Sequence, residues 1–348
     1  MSAASLSAAA ARVAAGRSGR LRRRATVTAL IAAGVAILFA VSLMVGQTFY
    51  GPGEVARVLL GETVPGASFT VGELRLPRAT LGLLAGFAFG AAGVTFQTML
   101  RNPLASPDVI GISAGAGAAA VVGIVVLSLS ETAVSLLALG GALATAAAIA
   151  LLANRGGFAG ARFILIGIGV AAMLHSVISY VLSRAANWDI QTAMQWLTGS
   201  LNAATWERVA PLAAACAVLA PILLLTGRGL GVLRLGDDAA TALGLRVGLT
   251  RAALILSAVA LLAFATAGSG PIAFVAFMSG PIAARLVGPG AGLVLPAGLT
   301  GALIVLASDL AGQFLLDERY PVGVVTGVLG APYLILLLVR LNRTGSAL

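Results

Sequence analysis

Apolar runs of roughly 20 residues follow one another along almost the whole chain, and this spacing limits what it can fold into. A helix needs about that length to cross the ~30 Å hydrocarbon core of a bilayer. Only helices and closed barrels satisfy every backbone polar group in lipid. Barrel strands would alternate lipid-facing and lumen-facing residues over ~10 positions, and that alternation is missing. With 59% hydrophobic and 10% charged residues, the chain is also far from the ~25% charge of ordinary soluble domains. The pattern predicts an all-α polytopic membrane protein with about ten transmembrane helices.

The predicted spans are Ala25–Val45, Ala79–Leu100, Val109–Leu129, Ala133–Ala153, Phe163–Ser183, Val209–Thr226, Leu249–Thr266, Ile272–Leu286, Leu293–Phe314 and Val322–Val339. They form a single transmembrane domain over residues 25–342, between a basic tail (1–24) and a short C-terminal tail (343–348). "RSGRLRRR" before the first span could mimic the basic start of a signal peptide. No small-residue cleavage site is evident and further spans follow, so it reads as a retained cytoplasmic tail.

The net charge of +10 reads as positive-inside bias rather than nucleic-acid binding. With the N-terminus inside, 16 of the 22 basic residues fall on the cytoplasmic side, Arg155, Arg162 and Arg251 among them. Six fall outside: Arg57, Arg75, Arg78, Arg184, Arg208 and Arg319. Most acids lie outside too, including Glu54, Glu62, Glu131, Asp317 and Glu318. Both termini are therefore expected in the cytoplasm, at the cytoplasmic (plasma) membrane.

All 22 basic residues are arginine. A Walker A loop needs the lysine of GxxxxGK[ST] to reach nucleotide phosphates, so this chain holds no standard P-loop ATPase. Lysine Schiff-base chemistry is excluded on the same ground. The single cysteine, Cys216, lies in an apolar run and reads as a small core residue. No nucleophile–base spacing, HExxH or CxxC is present, and one histidine gives no metal-site spacing. The chain reads as no enzyme, with no cofactor and no metal site of its own.

Polar features stand out against this background. "RNPLASPDVIG", Arg101 to Gly111, joins the second and third spans on the cytoplasmic face. Asn102-Pro103 and Ser106-Pro107 push the residues before each proline out of helix, which makes a rigid corner. Gly82, Gly86 and Gly90 recur every fourth residue, followed by Gly93, and Gly111 and Gly115 repeat the spacing. Such faces let helices approach closely in lipid. Asp309 is an acid within the ninth span, which reads either as a functional group or as a structural hydrogen bond in the bundle. Gln97 reads as polar glue between helices or as pathway lining. His175, in the fifth span, is a core or pathway residue.

Two polar connections are long. The outer one, around residues 184–208, reads as a short amphipathic segment holding Trp188, Trp196 and Trp206, which suits an interfacial belt or ligand contact. The inner one, about residues 227–248, spends some twenty residues where a few would turn the chain. Asp237 or Asp238 can cap a short helix there, with Ala239, Ala242, Leu243 and Leu245 as an apolar surface. A docking surface for a cytoplasmic partner follows from this.

Several stretches together resemble the FecCD family of permeases from ABC importers for iron–siderophores, haem and vitamin B12. They are "LRLPRATLGLLAGFAFGAAGVTFQTMLRNPLASPDVIGISAGAG", "QWLTGSL", "LGDDAATALGLRV", "GPIAFVAF" with "GPIAARLVG", and "YPVGVVTGVLGAPYLILLL". They occur in family order and span nearly the whole chain. The resemblance implies the BtuC-like importer permease fold, paired with an identical or paralogous permease subunit in the lipid membrane. It also implies two cytoplasmic ATPase subunits, which supply ATP and magnesium sites, and an extracytoplasmic binding protein; no nucleic acid is involved.

By position, the resemblance makes Leu235, Gly236, Asp237, Asp238, Ala242, Leu243, Gly244 and Leu245 the ATPase-coupling segment. Asn102 and Leu104 match the family's inner closure, and Gly160, Ala161 and Arg162 match a second cytoplasmic constriction. His175 falls on the span that lines the path. Arg57 and Arg319 are candidates for receiving acids of the binding protein. The chain departs from the family pattern in two places. Pro281 is followed by Ile282 where many members have histidine, and Gln313 stands where an arginine follows the membrane aspartate. The eighth-span sequence leans toward ferric siderophores; haem or cobalamin is the alternative within the family. An ion-gradient-driven secondary transporter is the competing class.

Overall fold

A computed structural model describes residues 3–107, 110–153, 160–288, 292–315 and 317–343. Asp108, Val109 and Arg155, which belong to the corner, third-span and charge readings above, lie outside these residues, as does the tail from residue 344. Among the described residues every regular element is helical. Helix α1 (Ala3–Met44) carries the basic tail directly into the first span, and α2 (Pro52–Leu59) lies on the outer side. The short α3 (Ala67–Phe69) runs through a π-helical turn, Thr70–Arg75, into α4 (Leu76–Met99).

Then follow α5 (Ile112–Val121, with a π-turn to Val126), α6 (Glu131–Ala153), α7 (Gly160–Ser183) and α8 (Asn187–Thr198). The chain continues through α9 (Trp206–Leu233), α10 (Asp237–Ala242) and α11 (Val247–Ser269). It closes with α12 (Val275–Val287), α13 (Val294–Phe314) and α14 (Val322–Arg343).

Each of the ten expected segments holds a helix among the described residues, but they are not alike. Among the described residues, eight helices are long and apolar enough to cross a membrane; Ile112–Val126 and Val275–Val287 are shorter. At 1.5 Å per residue, 13 residues rise only ~20 Å, short of a ~30 Å core. The remaining depth falls to irregular chain: residues 101–107 of the proline corner before α5, and Gly270–Phe274 before α12. Such backbone is tolerated at membrane depth only where protein or a cavity surrounds it.

The second span begins earlier than the sequence suggests, at Ala67 rather than Ala79. Arg75 and Arg78 are therefore helical residues at its outer end instead of loop charges. The Arg75 guanidinium donates to the carbonyls of Leu43, Met44 and Thr48 at 3.0, 2.9 and 2.6 Å. Carbonyls left open at the end of α1 thereby find a partner.

Helix α4 is the axis of the fold, packed against α13, α11, α12 and α9. The glycine stripe makes this possible. A Cβ on Gly86 would stand 2.6 Å from the Gly301 carbonyl oxygen of α13, and at Gly90 and Gly93 the backbone of Ala297 and Ala276 is closer still. Gly115 of α5 meets Gly141 and Thr145 of α6 in the same way. Without a hydrophobic drive between helices in lipid, close backbone contact supplies the packing energy.

Candidate functional site

The two short helices face one cavity of about 710 Å³. Its walls come from α5 (Ser113, Ala114, Gly117), α7 (His175, Ile178), α8 (Leu197), the broken segment before α12 (Pro271, Ala273, Phe274) and α14 (Leu334, Leu338). Leu104 and Ser106 of the proline corner line its cytoplasmic part. The wall is mostly aliphatic and aromatic; His175, Ser106 and Ser113 are its polar side chains.

Helix rise fixes the depth of the breaks. Phe274, with φ +61°, packs against Gly330, eight residues into α14 and so ~12 Å below its outer end. Gly111, with φ +92°, packs against Gly167 and Ala171, seven to eleven residues into α7 and ~10–16 Å above its cytoplasmic end. Both irregular stretches therefore enter the bundle and border the cavity.

The corner itself is tightly bonded. Asn102 Oδ1 accepts from the Leu104 N–H at 2.9 Å, and the Asn102 N–H donates to the Gln97 carbonyl at 3.0 Å. Leu104 packs with Phe277, Met278 and Leu337 at the cytoplasmic side of the cavity. A Cβ on Gly160, at the start of α7, would lie 3.1 Å from the Leu100 side chain, so the second predicted constriction abuts the corner. Ala161 and Arg162 are exposed beside it. Gln97 does not line the cavity. Its amide donates to the Phe277 carbonyl at 2.9 Å, which places it between α4 and α12.

Below the corner lies α10. Gly236, with φ +108°, precedes the helix without a side-chain cap, so neither aspartate caps it. Asp237 instead accepts from Arg251 Nη2 at 2.7 Å, and Asp238 is exposed. Ala240 is fully buried and Leu245 packs on the core, so Leu245 anchors the segment rather than adding to its outer face. The free apolar surface is Leu235 (65% exposed), Ala242 and Leu243 (67%), with Gly244 beside them.

A link between these parts has no signal in the residue order. Arg101, at the first residue of the corner and with φ +51°, donates to the Leu233 carbonyl at 3.0 Å. The corner is thus tied to the end of α9, four residues before α10.

On the outer side, Asp309 is not a lone acid. Arg78 Nε and Nη2 donate to its two oxygens at 2.9 and 2.8 Å, and Gln313 Nε2 adds a bond at 2.7 Å. Arg78 also donates to Asn202 Oδ1 at 2.9 Å. Arg57 is exposed on α2 and paired with Glu62 at 2.6 Å. Arg319, exposed, borders both the Asp309 pocket and a second outer cavity of about 370 Å³ that holds the Glu131–Arg208 pair and Trp196. Arg57 and Arg319 stand on different outer elements, and of the two it is Arg319 that borders the Asp309 pocket. Of the tryptophans, Trp188 is 77% exposed while Trp196 packs on the core, so α8 is amphipathic as expected. Among the described residues no three His, Cys, Asp or Glu side chains gather as metal ligands.

A bundle of spanning helices, two of them broken within the bundle around an apolar cavity, is the architecture of a membrane permease. The FecCD transport family matches residues 34–340, and the chain belongs to that family. It is 38% identical over 323 residues to the ferric enterobactin transport system permease protein FepG of Escherichia coli (strain K12), covering 92% of this chain and 98% of that one. The achromobactin transport system permease protein CbrC of Dickeya dadantii (strain 3937) is 38% identical, over 93% and 95% of the two chains. The Fe(3+)-citrate import system permease protein YfmE of Bacillus subtilis (strain 168) is 36% identical, over 92% and 97%. Among solved structures, a metal-chelate type ABC transporter in an inward-facing conformation superposes with a TM-score of 0.81 over 90% of this chain and 99% of that one, at 24% identity, which shows the shared fold.

Proposed function

We propose that this chain is the permease subunit of an ABC importer that moves a ferric siderophore across the cytoplasmic membrane. The observation that carries the proposal is the cavity between the two broken helices, which is apolar, spacious and lined toward the cytoplasm by Leu104 of the corner. An aliphatic wall suits passage of a bulky chelate without chemistry on it, and the relatives named for enterobactin, achromobactin and Fe(3+)-citrate support that cargo.

Energy comes from partner ATPase subunits, which hold ATP and magnesium; the lysine-free chain supports this division of labour. Leu235, Ala242 and Leu243 dock them, and the Arg101–Leu233 bond passes their motion to the corner. A second permease subunit covers the cavity's open side, where α7 leaves Leu165, Met173 and Tyr180 exposed. Arg57 and Arg319 receive a binding protein on the outer face. The Arg78–Asp309–Gln313 cluster supports a structural role for the membrane acid, and so weighs against gradient-driven transport.

The test is uptake of a radiolabelled ferric siderophore into proteoliposomes holding this chain, its permease partner, the ATPase and the binding protein. Uptake should require ATP and persist when the proton gradient is collapsed. Uptake by the chain without an ATPase sinks the proposal.

A further inference from the structure

Helices α1 and α13 touch in the middle of the bundle and part below. At Gly34 a Cβ would lie 3.1 Å from the Leu303 side chain. Toward the cytoplasm a cleft of about 700 Å³ opens between them. One wall is a single face of α1, with Leu21, Ala25, Thr28 and Ala32 at helical spacing. The other is Val287 with Leu295, Pro296 and Leu299 at the start of α13. From Arg24 to Ala32 the wall is ~12 Å long, most of the ~15 Å depth of one leaflet of hydrocarbon.

The mouth of this aliphatic cleft is basic. Arg24 lines it, and its Nη2 is buried without a hydrogen-bond partner among the described residues. A buried donor left open is costly until an acceptor meets it. Arg20 lies one turn earlier on the same helix, and Arg23 Nη1 is 4.0 Å from the Cβ position of Gly288 across the mouth. The ion pairs formed among the described residues involve none of these arginines.

We infer that the cleft binds an anionic phospholipid of the cytoplasmic leaflet, its phosphate diester accepting from Arg24 and an acyl chain lying between α1 and α13. Charge sign, membrane depth and an apolar trough ending at an open guanidinium all fit that one ligand. Basic pockets between helices on the cytoplasmic side are how membrane proteins hold such headgroups. The inference rests on the membrane orientation and is independent of the transported cargo.

Native mass spectrometry of the full chain in mild detergent tests it, with phosphatidylglycerol and phosphatidylcholine of the same acyl chains as probes. Phosphatidylglycerol should be retained at least ~5-fold better, and Arg24→Gln should remove about that preference. Ala29→Phe fills the cleft from an exposed position of α1 without changing charge, and should lower retention of both lipids. The two variants test separate parts of the site, the headgroup donor and the trough, so misfolding of one leaves the other decisive. Equal retention of the two lipids by the wild type would overturn the inference. So would wild-type retention by both variants, or displacement of the lipid by inorganic phosphate alone, which would mark a bare anion site.

Discussion

Arg78 and Asp309, 231 positions apart in sequence, meet side by side with both carboxylate oxygens engaged at 2.8 and 2.9 Å. The acid is nearly fully buried and the arginine 23% exposed, so the pair lies between a surface and a core ion pair. Asp309→Asn should therefore lower stability by roughly 1–3 kcal/mol, between the values for exposed and buried pairs. Replacing both partners with leucine should recover part of that loss, because no uncompensated charge is left behind. Thermal unfolding of the purified single and double variants reads this directly. A stable Asp309→Asn protein with altered proton dependence of uptake would instead make the acid a coupling group.

The bond from Arg101 to the Leu233 carbonyl gives a second prediction. Arg101→Gly removes one hydrogen bond, about 1 kcal/mol, and relieves a left-handed backbone at φ +51° by a similar amount. Stability should hardly change. Uptake per ATP hydrolysed, measured in the reconstituted importer, should fall severalfold because the corner no longer follows α10.

Two glycines should respond with different signs. Gly86→Ala forces a Cβ within 2.6 Å of the Gly301 carbonyl oxygen, and separating α4 from α13 should cost about 1–3 kcal/mol. Gly140, on the exposed face of α6, has nothing within 4 Å of its Cβ position. Gly140→Ala should be neutral or stabilising by up to about 1 kcal/mol, from helix propensity alone. Paired unfolding curves check both.

Leu243 is exposed while Ala240 behind it is buried. Leu243→Glu should leave the fold within about 0.5 kcal/mol of wild type, as surface changes do. Co-purification of the ATPase should nevertheless be lost. If the ATPase still co-purifies, the docking surface lies elsewhere.

In the cavity, Ala273→Trp places a large side chain on the wall, on a segment other than the coupling one. Uptake of the chelate should fall while basal ATP hydrolysis by the assembled complex persists. A block of this kind separates a role in passage from one in assembly.

Much of this protein was legible in residue order. Span length and arginine asymmetry fixed a helical membrane protein with both ends inside, because lipid penalises open backbone and charge wherever they occur. The four-residue glycine spacing announced the tight faces of α4, since that period places small residues on one side of a helix. The proline corner was visible too, because proline restricts its neighbour locally.

What remained hidden depended on partners distant in sequence. Nothing near Asp309 points to Arg78, and nothing near Arg101 points to Leu233. Gln97 reads equally as glue or lining until Phe277 is beside it. Hydropathy counts apolar residues without seeing where helix stops, so the breaks before α5 and α12 left no mark in it. The sequence by itself determined the solvent this chain folds in and the faces its helices can bring together. Only the tertiary structure decided which polar groups pair, which backbone stays irregular and where the cavity lies, because those follow from contacts between elements and leave no local signature.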